Sequence, residues 1–146
     1  MTSDKEWYFA YGSNLKKERL RCRVGEWKKE QKASLRGYIL TFAKGYDGHT
    51  SGKANIKSNS NSEVKGIVYL ITEKQFCKLD ACEGVCKGVY RRTPVTVESE
   101  GKSVPATTYT MVKEICPLKP SADYLDLILE GLREHGYDEN SIEEVR

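Results

Sequence analysis

The sequence predicts a strand-rich α+β fold in a single domain spanning residues 1–146. Three observations predict it. β-prone aromatic or branched runs recur at Trp7 to Tyr11, Leu35 to Ala43 and Val64 to Ile71. Tyr90 to Val97 and Val104 to Val112 alternate around a Glu-rich turn that closes on Gly101, which reads as a hairpin. Segments with helix start and stop signals fall between these strands without alternating regularly with them.

In chain order, the first strand stops at Gly12, where Ser13 and Asn14 are good N-caps for a helix beginning near Leu15. Leu15 and Leu20 fall on that helix's inner side. After the strand Leu35 to Ala43, Gly45 to Gly52 reads as a Gly-rich loop, followed by a short strand at Ala54-Asn55-Ile56. Lys57 to Glu63, rich in Ser and Asn, predicts an exposed turn before the central strand Val64 to Ile71. Thr72 and Gln75 form a capping box, and Gly84 ends the helix they open. Ser121 caps a last helix whose Leu125, Ile128, Leu129 and Leu132 make one stripe; Arg133 and His135 suit its C-terminal dipole, and Gly136 ends it. Residues 1–6 and the acidic segment 138–146 are expected to be loose tails.

Composition removes whole classes of function. The longest apolar run, Ile67 to Ile71, is far short of the roughly 20 residues a membrane-spanning helix needs. The polar start lacks the apolar stretch of a secretion signal, so a cytoplasmic location is expected. Five cysteines, Cys22, Cys77, Cys82, Cys86 and Cys116, are an odd number and predict reduced structural thiols. Their spacing fits no paired Cys-x-x-Cys zinc site, so no metal is expected. Formal charge is +3, but Met1 to Arg36 carries ten Lys/Arg against five Asp/Glu, and Glu114 to Arg146 three against nine. No nucleic-acid motif accompanies the basic end, and two solvated faces of one globule explain the asymmetry.

Three places carry chemistry. Tyr11-Gly12-Ser13-Asn14-Leu15 runs from a strand through a Gly turn to a helix start, where open N–H groups and the positive dipole end suit an anion or oxyanion. Such junctions also occur for geometry alone. Glu83 shares a helix face with Phe76 and Leu79 and sits in the last turn, where burial and the dipole both raise a carboxyl's pKa. That is what a general base near neutral pH requires, with Asp80 one turn earlier adding like charge. The competing reading is a carboxylate at the helix rim in water. Tyr90, Tyr109 and Tyr124, with Asn55, can hydrogen-bond a small polar ligand, or serve as core with tethered hydroxyls.

These segments together resemble the γ-glutamylcyclotransferase-like (AIG2-like) family. The likeness begins at Phe9-Ala10-Tyr11-Gly12-Ser13-Asn14-Leu15 and continues through Gly52-Lys53-Ala54-Asn55-Ile56 and Gly66-Ile67-Val68-Tyr69. It is strongest at Leu79-Asp80-Ala81-Cys82-Glu83-Gly84-Val85 with Tyr90, and returns at Pro120-Ser121-Ala122-Asp123-Tyr124. The resemblance implies a small mixed β-barrel with flanking helices, no cofactor, a small-molecule γ-glutamyl substrate, and neither nucleic acid nor membrane as partner; it admits a homodimer. It implies Glu83 as catalytic acid/base, with Tyr11, Gly12, Ser13, Asn14, Leu15, Asn55, Tyr90 and Tyr124 around the substrate. The implied reaction closes a γ-glutamyl group on itself to give 5-oxoproline and a freed amine or amino acid. The Asn of the Gly-Ser-Asn loop looks less like the branches acting on crosslinked lysine or on glutathione. Non-catalytic binding of γ-glutamyl or other small anionic metabolites in the same pocket is the alternative.

Overall fold

A computed structural model of the chain describes residues 5–45 and 50–145. Half of the expected Gly45 to Gly52 loop, residues 46–49 with His49 among them, and the first four residues of the expected N-terminal tail lie outside that range. Strand β1 (Lys5–Ala10) leads through a 3-10 turn (Ser13–Leu15) into helix α1 (Lys17–Val24). Strands β2 (Glu30–Lys44) and β3 (Lys53–Thr72) form a long antiparallel ribbon. Helix α2 (Glu73–Glu83), strands β4 (Tyr90–Ser99) and β5 (Lys102–Met111), a short β6 (Cys116–Pro117), and helices α3 (Ala122–Glu134) and α4 (Glu139–Glu143) follow.

The sheet closes on itself. β3 pairs with both β1 and β2, β2 meets β4 at Ser34 and Glu98, and β4 pairs with β5. β5 then meets β1 in parallel at Tyr8 and Thr107, completing a five-stranded mixed barrel that leaves β6 against the far end of β2. Three consecutive residues of β1, Tyr8, Phe9 and Ala10, are buried, as a strand must be when covered on both faces. The β4–β5 turn is Glu100-Gly101, both at positive φ (50° and 78°), the backbone that matches strand twist in two-residue hairpins.

The structure departs from the sequence reading in three elements. Lys57 to Glu63 is exposed but is no turn: β3 runs through it, with an irregularity in pairing opposite Gly37. Polar Ser and Asn suit a turn locally, yet Lys57, Ser58 and Glu63 pair with Ile39, Tyr38 and Arg36 of β2, and residues 59–62 fall in the irregularity between them. The first helix starts at Lys17, without a side-chain cap, because Ser13 and Asn14 are spent elsewhere. The ends are not loose where described. Lys5 and Glu6 pair with Thr72 and Ile71, and 139–143 is helical. Asp138 caps that helix on the Ser141 N–H (2.8 Å), Ile142 is fully buried, and the Tyr137 hydroxyl donates to Gly66 and Ala33 carbonyls. One buried isoleucine and one cap are too short a pattern to read as a helix beforehand.

Candidate active site

Glu83 is the last residue of α2, and the left-handed Gly84 (φ 68°) stops the helix there. The capping box at the other end forms as predicted: the Gln75 N–H donates to Thr72 Oγ1 (3.2 Å) and the Thr72 N–H to Gln75 Oε1 (2.9 Å). Gln75 Nε2 also donates to the Val24 carbonyl (3.1 Å), tying the end of α1 to the start of α2. Phe76 and Leu79 anchor α2 in the core, and Glu83 at its end borders two spaces.

The outer space is a cleft of about 450 Å³ between α1, the end of α2 and the start of α3. The inner one is a recess of about 40 Å³ lined by Tyr8, Tyr11, Gly12, Asn14, Thr108 and Tyr109, among others. Ser13, Glu83, Tyr90 and Tyr124 border both. The recess holds little more than a water or two, so it admits a charged head group, while the cleft has the size of a small-ligand site.

Glu83 is largely buried, with 18% of its side chain exposed, and desolvation raises its pKa above the ordinary carboxylate range. Arg23 and Arg19 pull the other way. The Arg23 contact, 3.6 Å, is too long for a charge-assisted hydrogen bond. Asp80 contributes no like charge here. Its carboxylate is taken by Arg92 (2.9 and 2.7 Å) and the Tyr109 hydroxyl (2.7 Å), and Arg92 holds it below the usual range.

The loop before α1 splits into donors and scaffold. Ser13 and Asn14 open a 3-10 turn, where the first N–H groups have no partner within the helix. The Leu15 N–H is already given to the Gly12 carbonyl (3.0 Å) and its side chain is fully buried, so Leu15 is scaffold and no ligand donor. Its carbonyl is met by His135 Nε2 (3.1 Å) and the Tyr69 hydroxyl (3.3 Å). Ser13 Oγ accepts from Arg19 Nε (2.9 Å), and Asn14 Nδ2 donates to the Tyr8 hydroxyl (2.9 Å). That leaves Asn14 Oδ1 buried and unpaired beside the recess.

Asn55 is not at the site. In β3 its side chain points opposite to Ala54; Oδ1 accepts from the Met111 N–H (2.9 Å) and Nδ2 donates to Glu114 (2.8 Å). Alternation along the strand decided this, and it brings the Ala54 backbone to the site instead. The Tyr90 hydroxyl donates to the Ala54 carbonyl (2.6 Å), and the Tyr124 hydroxyl accepts from the Ala54 N–H (3.0 Å). The hydroxyl of Tyr11 donates to the Tyr109 carbonyl (2.6 Å), so its ring lines the recess while its polar end is tied down. Burial pushes the Tyr124 hydroxyl up to about 12, keeping its proton on at neutral pH. Sequence reading missed Arg19, Arg23 and Tyr8. The two arginines are four apart on α1, a spacing that puts both on one face. All five cysteines are unpaired, but they are exposed and not structural core; Cys82 and Cys86 lie at the cleft's mouth.

A γ-glutamylcyclotransferase of cattle (Bos taurus) is 36% identical over 136 residues, covering 88% of this chain and 71% of that protein. The chain belongs to the γ-glutamylcyclotransferase family. A mouse (Mus musculus) γ-glutamylcyclotransferase is 33% identical over 95% of this chain and 76% of its own length. The AIG2-like family matches residues 63–144, which include Glu83, Tyr90 and Tyr124. A solved γ-glutamyl cyclotransferase superposes with a TM-score of 0.87 at 29% identity, covering 97% of this chain and 86% of that one. The barrel with flanking helices is the fold of this enzyme family.

Proposed function

We propose that the chain cyclises a γ-glutamyl group to 5-oxoproline and releases the amine it was joined to, with Glu83 as acid and base. The observation that carries this reading is a desolvated carboxylate on the wall between a head-group recess and an open cleft. The recess offers the unpaired Asn14 Oδ1, an acceptor whose isolation costs about 1–3 kcal/mol until a donor arrives. An α-amine is such a donor, and there it lies next to Glu83.

The amine nitrogen attacks the γ-carbonyl carbon of the same glutamyl group, and Glu83 takes the proton that nitrogen sheds. Charge on the carbonyl oxygen falls to the open N–H groups of Ser13 and Asn14 and to the Tyr124 hydroxyl. The bond to the leaving nitrogen then breaks as Glu83 returns the proton to it. Bond, proton and charge balance without a further reactant. Since nucleophile and electrophile share one chain, holding that chain folded, its head group at the recess and the rest in the cleft, supplies much of the rate.

Mass-spectrometric release of 5-oxoproline from a panel of γ-glutamyl amino acids and amines tests the proposal, with Glu83→Gln as control. Release by the native chain that falls about 10²–10⁴-fold in the variant is expected. Full activity in the variant removes Glu83 from the mechanism. Saturable binding without release across the panel makes the site a metabolite binder.

A further inference from the structure

Resting on that reading, we infer that His135 and Tyr69 are positioning residues: by holding the Leu15 carbonyl they aim the Asn14 N–H at the substrate's carbonyl oxygen. Two planar peptide groups carry the effect. The Asn14 N–H shares its peptide group with the Ser13 carbonyl, which accepts from the Lys16 N–H (3.2 Å). The Lys16 N–H in turn shares its peptide group with the Leu15 carbonyl, which meets His135 Nε2 (3.1 Å) and the Tyr69 hydroxyl (3.3 Å). In a trans peptide the N–H points opposite to the C=O, so fixing the outermost oxygen sets the direction of both amides. Each hydrogen bond a carbonyl accepts also polarises the N–H of the same group, which strengthens the last donor as well as aiming it. Among the described residues no backbone N–H donates to the Leu15 carbonyl, and the Asn14 N–H meets no acceptor.

The grip on this turn comes from three elements. Tyr69 of β3 is fully buried and stands opposite Tyr8 of β1, so the two side chains project to one face. The Tyr8 hydroxyl accepts from Asn14 Nδ2 (2.9 Å), and the Tyr69 hydroxyl meets the backbone one residue on. Gly131 brings α3 against Leu15 and Lys16, and His135, one turn later, turns its ring away from its own helix end toward Leu15. Only 4% of the His135 side chain is exposed. A carbonyl oxygen brings no hydrogen, so the contact requires one on Nε2. Glu30 does not call the hydrogen to the other nitrogen: it already accepts from Trp27 Nε1 (2.8 Å) and pairs with Lys17 (3.0 Å), and its 3.4 Å approach to Nδ1 is long for a hydrogen bond. Burial, with Lys17, lowers the imidazole pKa although Glu30 and Glu134 raise it, so the neutral Nε2–H tautomer is the form that holds Leu15. A histidine that merely filled space would need no particular nitrogen protonated.

Long-range proton–nitrogen NMR at about pH 8, above the ordinary histidine pKa, reads the tautomer directly. The chain has two histidines, and His135→Gln removes one set of signals and so assigns the other. The Nε2–H pattern is expected for His135; the Nδ1–H pattern overturns the inference. The Asn14 amide proton should shift upfield in Tyr69→Phe and in His135→Leu, and a resonance unmoved in both overturns it as well. Turnover of γ-glutamyl compounds should fall about 10–100-fold in His135→Leu, the usual cost of a misplaced catalytic group. The loss should lie chiefly in kcat, because charge on the carbonyl oxygen exists only in the transition state. His135→Gln, whose side-chain amide offers an N–H where Nε2 stood, should recover most of it. Val97→Ala, a cavity in the β4–β5 hairpin, should lower the melting temperature without that loss. Turnover that merely tracks melting temperature in both His135→Leu and Val97→Ala makes the histidine structural and overturns the inference. If no γ-glutamyl compound is cyclised, the proposed function falls, while the tautomer and the Asn14 amide still decide this inference.

Discussion

Asp80 and Glu83 stand one turn apart on α2 and meet opposite surroundings. Asp80 faces the barrel wall, where Arg92 and Tyr109 supply three short hydrogen bonds, and Arg92 is gripped in turn by both oxygens of Glu73 (2.9 Å each). Glu83 faces the cleft, with burial on one side and an arginine 3.6 Å away on the other. The first carboxylate is satisfied and locked in its charged form. The second has its pKa raised by desolvation, so its proton is held more tightly than an ordinary carboxylate's. A structural carboxylate is recognised by its partners, and a reactive one by how few it has.

Neutral isosteres at the two positions should separate these roles most widely. Glu83→Gln is expected to lose turnover about 10²–10⁴-fold while melting no lower than the parent at pH 7, since ionising a desolvated carboxyl opposes folding there. Asp80→Asn should behave in reverse, melting lower by roughly 1 kcal/mol of stability with a far smaller loss of rate. Parallel thermal melts and 5-oxoproline assays decide it; loss of turnover at both positions to the same degree breaks the contrast.

The site also depends on close packing that no charge reveals. Gly131 of α3 lies against the loop before α1: a Cβ there would come within 2.5–2.7 Å of Leu15 Cβ, the Leu15 carbonyl carbon and the Lys16 nitrogen. Gly131→Ala should therefore destabilise by about 1–3 kcal/mol, despite alanine's better helix propensity, because backbone would have to move. Chemical denaturation measures the stability, and a rise in KM would register displacement of Ser13 and Asn14. A stabilised variant would show that the loop yields freely.

The smallest effects are in pH. The proposed mechanism needs the base form of Glu83, so it predicts that kcat/KM falls as pH drops through a pKa raised above the usual carboxylate range. Removing Arg23 takes away a charge that favours the anion, so Arg23→Met should move that acid limb to higher pH. Asp80, whose pKa is lowered, contributes stability that is present above the ordinary Asp value and is lost as pH falls through the lowered one. An acid limb at the ordinary Glu value, unmoved by Arg23→Met, would make Glu83 a solvated carboxylate after all.

Local patterns were legible without the fold. The Thr72–Gln75 box, the stop at Gly84, the Glu100-Gly101 turn and the Ser121 cap, whose Oγ accepts from the Tyr124 N–H (3.2 Å), all involve residues within a few positions of one another. Glu83 was legible for the same reason, as helical spacing alone puts it on the face of Phe76 and Leu79. Asn55 was misread because a strand's side chains alternate, and only the pairing with β2 and the hydrogen bonds of Asn55 to Met111 and Glu114 showed which face met the cleft. Lys57 to Glu63 was misread because its two ends, at Lys57-Ser58 and at Glu63, pair with β2, a partner distant in sequence.

What the amino-acid sequence determined by itself was therefore the short-range part: which segments turn, cap and stripe, and which carboxylate stands at a helix end. Tertiary structure alone decided the rest. Closure of β3 onto both β1 and β2, the tethering of Tyr90 and Tyr124 to Ala54, and the meeting of Arg19, Arg23 and Glu83 across two helices join residues far apart in the chain, 36 and 70 positions for Tyr90 and Tyr124 on Ala54. Propensity and periodicity act over a few residues, whereas desolvation and charge balance are properties of everything that surrounds an atom once the chain has closed.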